Sequence, residues 1–241
     1  MTATESPNGE EVTTQATDRP LPEYVNWLVA ALIALGGMAL TVGGSVLTFV
    51  VDRTLLEEGI ESGQITVVIV ERDLTRTEML EFTLEVVNWT GIGLLVTGVG
   101  LVLFAVVYLI VRHRAHQRTS AGESPDSLRS NAVLGAVTTT VLSFLPFSPV
   151  VGGGLAGYLE HSRSGRSVSV GALSGLLAMV PALSIIVFVT VGMFSGLSGI
   201  QETGLGIVAA AVLFLVSLFV ATYGAGLGAL GGFIGGRFAE E

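Results

Sequence analysis

Long apolar runs separated by short polar breaks organise this chain. Five stretches hold no Asp, Glu, Lys, Arg or His: 25–51, 86–111, 131–159, 167–201 and 203–236. A helix rises about 1.5 Å per residue and a bilayer core is about 30 Å thick, so roughly 20 apolar residues suffice for one crossing. Each stretch is long enough to be considered a span. The pattern therefore predicts an all-α integral membrane protein with about four full transmembrane helices; five or six spans is the alternative.

Between these runs the chain divides into segments. Residues 1–22 carry Glu5, Glu10, Glu11 and Asp18 with few apolar side chains, a composition that predicts a disordered acidic tail. Residues 23–118 read as a two-span hairpin, 119–130 as a cytoplasmic linker, and 131–241 as a glycine-rich membrane domain. Tyr24 and Trp27 at the entry of the first span suit the headgroup level.

The polar loop 52–85 has nine acids and three arginines and belongs in water. Its β-branched run Ile65-Thr66-Val67-Val68-Ile69-Val70 is too short to cross and reads as a strand or a surface-packed loop segment. Thr75-Arg76-Thr77-Glu78 is a capping-box pattern, which predicts a helix starting near Thr75 and running without a break into the second span. Glu78, Glu81 and Glu85 share one face of it, either as a solvated surface or as a cation site.

The third stretch breaks in the middle. Residues 131–145 would cover only about 22 Å as a helix. Pro146-Phe147-Ser148-Pro149 then interrupts it, because proline lacks an amide donor and disfavours helical geometry in the residue before it. A re-entrant hairpin turning at Pro146 and Pro149 is the favoured reading and a single crossing the alternative. The hairpin places Arg163 and Arg166 on the same side as Arg112, Arg114, Arg118 and Arg129; the crossing places them opposite. By the positive-inside rule these six arginines mark the cytoplasmic face, so the expected location is the cell membrane, multi-pass, with both termini cytoplasmic. Residues 168–195 would then cross outward with Pro181 as a kink site, and 196–203 would form the outer turn.

Charge and cysteine content narrow the chemistry. The net charge is −9, from 20 acids against 11 bases, and every base is arginine. That balance argues against nucleic acid and suits an acidic exterior of the kind high salt selects. The chain has no cysteine, which excludes disulfides, thiolate metal sites and a cysteine nucleophile.

Glycine spacing is the strongest local signal. Gly224, Gly228, Gly232 and Gly236 recur every fourth residue, with Gly231 and Gly235 beside them, and Gly153 with Gly157 and Gly171 with Gly175 repeat the theme. Lipid supplies little hydrophobic force between helices, so association depends on close backbone contact, which glycine permits. Such faces serve packing within the chain or self-association. Membrane lipid is the expected partner, and a homo-oligomer the further one. In the first span Gly36, Gly37, Gly43 and Gly44 suggest one more narrow face.

The segment Phe147-Ser148-Pro149-Val150-Val151-Gly152-Gly153-Gly154-Leu155-Ala156-Gly157-Tyr158-Leu159-Glu160, followed by Val170-Gly171-Ala172-Leu173-Ser174-Gly175-Leu176, resembles the signature of an uncharacterised integral membrane protein family of halophilic archaea. The resemblance runs over about 131–236. It implies a membrane location and salt-adapted charge, and brings no activity with it.

Strings that look catalytic lack their context. Gly196-Leu197-Ser198-Gly199 matches the nucleophile tetrad of rhomboid-type proteases, yet His113, His116 and His161 all fall in polar segments of the opposite side. Gly226-Leu227-Gly228-Ala229-Leu230-Gly231 fits a dinucleotide fingerprint only as a string, without a βαβ unit. The spans contain no ionisable side chain apart from Tyr residues, which disfavours a coupled pump. The reading is thus a non-enzymatic membrane protein with neither cofactor nor metal, built on glycine-zipper packing or self-association; a small uncoupled channel or carrier is the alternative.

Overall fold

The computed structural model describes residues 23–68, 73–119, 135–136, 148–164 and 166–239. Among them there is no strand; six α-helices carry the fold. α1 (Glu23–Ser45) continues through a π-helical turn, Val46–Val50. α2 (Arg53–Glu61) lies in the polar loop, and α3 (Arg76–Thr119) follows. α4 (Ser148–Ser164), α5 (Ser167–Gly199) and α6 (Thr203–Phe238) complete the chain. Four segments are long and apolar enough to cross a membrane: Trp27–Val50, Arg76–Ile110, Ser167–Gly199 and Thr203–Phe238.

The side chains are distributed as lipid requires. Phe49 (77%), Phe214 (69%) and Phe219 (69%) are largely exposed, whereas the innermost positions are small: Ala30, Ala105, Ala156, Ser174 and many glycines. A water-soluble bundle would place its large apolar side chains inside; here they face outward, because hydrocarbon is their solvent and close backbone approach supplies the packing.

α3 shows how a local signal starts a long element. Thr75 Oγ1 accepts a hydrogen bond from the Glu78 amide at 3.3 Å, and Glu78 Oε2 accepts from the Thr75 amide at 2.9 Å, which closes the expected capping box. The helix then runs for 44 residues, about 66 Å, through the membrane and past it. α2 begins where Asp52 accepts a hydrogen bond from the Leu55 amide at 3.0 Å, and the buried side chains of Leu56 and Leu80 belong to these two packed helices.

The β-branched run does not form a strand over the part that is described. Ile65–Val68 has no regular structure and no strand alongside it; residues 69 and 70 lie outside the described set. A strand is stabilised by cross-strand pairs, and Ile65 instead packs against Gly59 of α2 and donates its amide to the Gly59 carbonyl at 2.9 Å.

Two further boundaries differ from the sequence reading. α5 continues to Gly199, so the connection to α6 is the tight turn Ile200–Glu202 rather than 196–203. Gly196 stays helical because its missing side chain makes room for Phe82 of α3. Gln201 occupies the left-handed region at φ 66°, and the Glu202 amide donates to the Leu197 carbonyl at 2.8 Å, a Schellman closure with glutamine where glycine is usual. Pro181 sits inside the continuous helix α5.

Contacts fix the directions of the helices. α1 pairs with α3 antiparallel, as Gly37 meets Gly98 and Gly44 meets Gly91. α3 pairs with α5, and α5 with α6, also antiparallel. α4 runs parallel to α6, since Gly153 meets Gly228 and Gly157 meets Gly232. The bundle therefore has a loop end, with α2 and the turn Ile200–Glu202, and a collar end, where α3, α4 and α6 finish and α5 begins.

Candidate functional site

The densest set of backbone contacts lies between α4, α5 and α6 near the collar end. A side chain at Gly157 would stand 2.5 Å from the Gly232 carbonyl oxygen, and one at Gly171 would stand 2.7 Å from Gly232 Cα. At Gly153 it would meet Gly228 Cα at 2.7 Å, and at Gly175 the same atom at 3.1 Å. Gly224 lies 2.5 Å, measured likewise, from Met179 Cγ of α5. Gly231 and Gly235 turn instead to Val150 and Gly154 of α4, and Gly236 is buried. α6 thus offers two adjoining glycine rows, one to α5 and one to α4, with Gly228 and Gly232 touching both.

The expected hairpin turn is described in part. Pro146 lies outside the described residues; Ser148 and Pro149 are buried at the start of α4. Since Val150 meets Gly231, α4 begins partway along α6, 28 residues or about 42 Å from the loop end of that helix. It then descends to the collar end, where Arg166 is exposed at the start of α5. Arg166 accordingly shares its end of the bundle with the end of α3. Arg129 lies outside the described residues, as do the side chains of Arg112, Arg114, Arg118 and Arg163.

Polar chemistry inside the bundle concentrates on the α3–α5 seam. Near the loop end Glu85 Oε2 accepts hydrogen bonds from Ser195 Oγ at 2.9 Å and from the Trp89 indole at 3.1 Å. Midway along, Thr97 Oγ1 donates to Ser184 Oγ at 3.0 Å. Gly192 receives Trp89, Gly196 receives Phe82, and Gly93 receives Phe188, whose ring lies 6.4 Å from that of Trp89. The sequence reading leaves Glu85 between a solvated face and a cation site. It is instead a half-buried clamp, while Glu78 caps its own helix and Glu81 is exposed. Ser195, Thr97 and Ser184 were not singled out in the sequence; hydroxyls within charge-free spans are the signal that points to them, since each must find an acceptor or return to its own backbone.

Elsewhere hydroxyls do return to the backbone. Thr41 donates to the Gly37 carbonyl at 2.8 Å and Ser45 to that of Thr41 at 2.8 Å. Ser174 is fully buried and its Oγ has no hydrogen-bond partner; Ser198 Oγ has none either. Among the described residues no base lies within hydrogen-bond reach of Ser198, and His113, the histidine whose side chain is described, is on α3 toward the collar end. Among the described residues no group of three or more His, Cys, Asp or Glu side chains is placed to hold a metal ion.

These features define a multi-pass, all-α membrane protein with a glycine-lined helix contact and a polar seam. Residues 129–238, which take in α4, α5 and α6, match a family model described as a family of unknown function, DUF5518. No curated protein and no solved structure matches the chain.

Proposed function

We propose that this is a non-enzymatic membrane protein whose α4–α5–α6 unit is a glycine zipper serving as a rigid helix-packing core. The observation that carries this reading is the double glycine face of α6, which is filled by backbone of α4 and α5 from the same chain. Contacts at this separation rely on dispersion and weak Cα–H···O bonds, and both need the side chains removed. Packing within the chain thereby consumes these glycines, so self-association into a homo-oligomer would use another face. Gly36 and Gly43 on α1 have nothing within 4 Å and leave such a face open. The acid-rich, lysine-free exterior and the arginine collar support a cell-membrane setting with cytoplasmic termini and a halophilic archaeal background.

The test is stability in detergent. Gly228→Leu with Gly232→Leu should disrupt the core and lower the midpoint of unfolding steeply. A variant that remains as stable as the parent contradicts the proposal.

A second reading, a small uncoupled channel or carrier, is favoured by one observation: α4 begins inside the bundle with Ser148 and Pro149 buried. Discontinuous helices are tolerated at membrane depth where they are buried in protein or line a cavity. Flux of small ions and solutes into liposomes above that of empty vesicles would support it, and flux equal to empty vesicles would exclude it.

A further inference from the structure

Two packed sets of helices meet along a single seam. α3 contacts both α1 and α2, while α4, α5 and α6 contact one another, and among the described residues α3 and α5 form the one helix pair that joins the sets. The same division appears in the sequence, because the family match begins at residue 129, beyond the end of α3 at Thr119.

The seam is built as a docking surface. α3 presents Phe82, Glu85, Trp89, Gly93 and Thr97, at steps of three or four residues that keep them on one face. Against them α5 presents Gly196, Ser195, Gly192, Phe188 and Ser184 in reverse order. Aromatic side chains enter glycine gaps twice from α3 and once from α5, and hydrogen bonds fix the register near the loop end and midway along. In hydrocarbon such polar pairs have no water to return to, so the register that satisfies Glu85 and Thr97 is favoured over a slipped one.

We infer that α1–α3 is an accessory hairpin docked onto a separately packed unit, and that this face of α5 is a helix-docking surface. It fits an antiparallel apolar helix that carries two aromatics, a carboxylate and a hydroxyl at those steps. α3 fills that role in this chain.

The inference is tested on the full-length protein with a protease site inserted between Thr119 and Asn131. After cleavage in mild detergent, the N-terminal fragment should stay bound to the C-terminal one at equal stoichiometry through size-exclusion chromatography. Gly192→Leu with Gly196→Leu closes both gaps on α5 while leaving the α4–α6 contacts in place; it should reduce retention of the hairpin on the order of tenfold, equivalent to about 1.4 kcal/mol. Thr97→Cys with Ser184→Cys gives a complementary readout that does not depend on a destabilised variant. In this cysteine-free chain, mild oxidation should join the cleaved fragments on a denaturing gel. Release of the hairpin from the cleaved parent, undiminished retention in the leucine variant, or failure of the cysteine pair to cross-link would each overturn the inference.

Discussion

Thr97 and Ser184, 87 positions apart, share a hydrogen bond of 3.0 Å inside the membrane-spanning part of the bundle, where Thr97 is buried. The bond ties two helices that have no other mid-span polar link among the described hydrogen bonds, and it falls on the same seam as the Glu85 clamp. Interhelical hydrogen bonds in lipid contribute modestly, because the separated helices also find partners. A double-mutant cycle with Thr97→Val and Ser184→Ala should therefore give a coupling energy of about 0.6 kcal/mol, measured by reversible unfolding in mixed micelles. Coupling indistinguishable from zero would mean that the two hydroxyls do not meet in solution.

Substitution of neighbouring glycines on α6 should have opposite signs. At Gly228 a methyl would collide with the Gly171 carbonyl and lie 3.0 Å from Gly175 Cα, backbone atoms that cannot swing aside. Gly228→Ala should destabilise by about 1–3 kcal/mol, the usual range for overpacking. Gly226 has nothing within 4 Å, so Gly226→Ala should be neutral or stabilise by up to about 1 kcal/mol through helix propensity. Thermal unfolding of the two variants beside the parent checks both signs at once.

Much of this arrangement is legible in the sequence, and the parts that are not have a common cause. Thr75 and Glu78 are readable because both partners fall within one turn. The glycines at 224, 228 and 232 are readable because a four-residue period marks one helix face whatever lies against it. Glu85 is not readable, since its partner Ser195 is 110 positions away and meets it only through the register set by Phe82 in Gly196 and Trp89 in Gly192. The run at residues 65–68 leaves strand and loop segment open for a related reason: β-branched composition records fitness for a pleated surface but supplies no partner strand, and residues 65–68 are irregular. α2 escapes notice because it is only nine residues long, too short for its amphipathic pattern to stand out within a polar loop.

The turn between α5 and α6 contains a correctable strain. Gln201 adopts φ 66°, a conformation in which a side chain is crowded and glycine is not. Gln201→Gly should keep the Schellman hydrogen bonds and raise stability by about 1 kcal/mol, read as a higher midpoint in thermal unfolding. Gln201→Val should lower it, because a β-branched side chain fits this region poorly.

The cap of α3 should matter locally. Thr75→Ala removes the acceptor of the Glu78 amide and the hydroxyl that donates to Glu78 Oε2 at 2.8 Å. The expected loss is about 1 kcal/mol, confined to the first turn because the remainder of α3 is held by α1 and α5. Hydrogen exchange should then quicken at the amides of residues 76–79 and stay unchanged at those of 91–98. Faster exchange across both segments would instead show that the cap supports the whole helix.

The paired glycines of α1 provide the sharpest contrast between adjacent positions. Consecutive residues on a helix point about 100° apart, so Gly43 and Gly44 cannot serve one contact. A side chain at Gly44 would lie 2.6 Å from the Leu95 amide nitrogen and 2.7 Å from the Gly91 carbonyl oxygen, whereas Gly43 meets nothing. Gly44→Leu should therefore separate α1 from α3, and Gly43→Leu should leave that pair intact. A cysteine pair reports the outcome directly: Ile33→Cys with Ala105→Cys, two side chains that pack together between α1 and α3, should cross-link in the Gly43→Leu background and fail in the Gly44→Leu background. If Gly43→Leu abolished the cross-link as well, the open face of α1 would be in contact with a partner, and self-association through it would become the explanation to pursue.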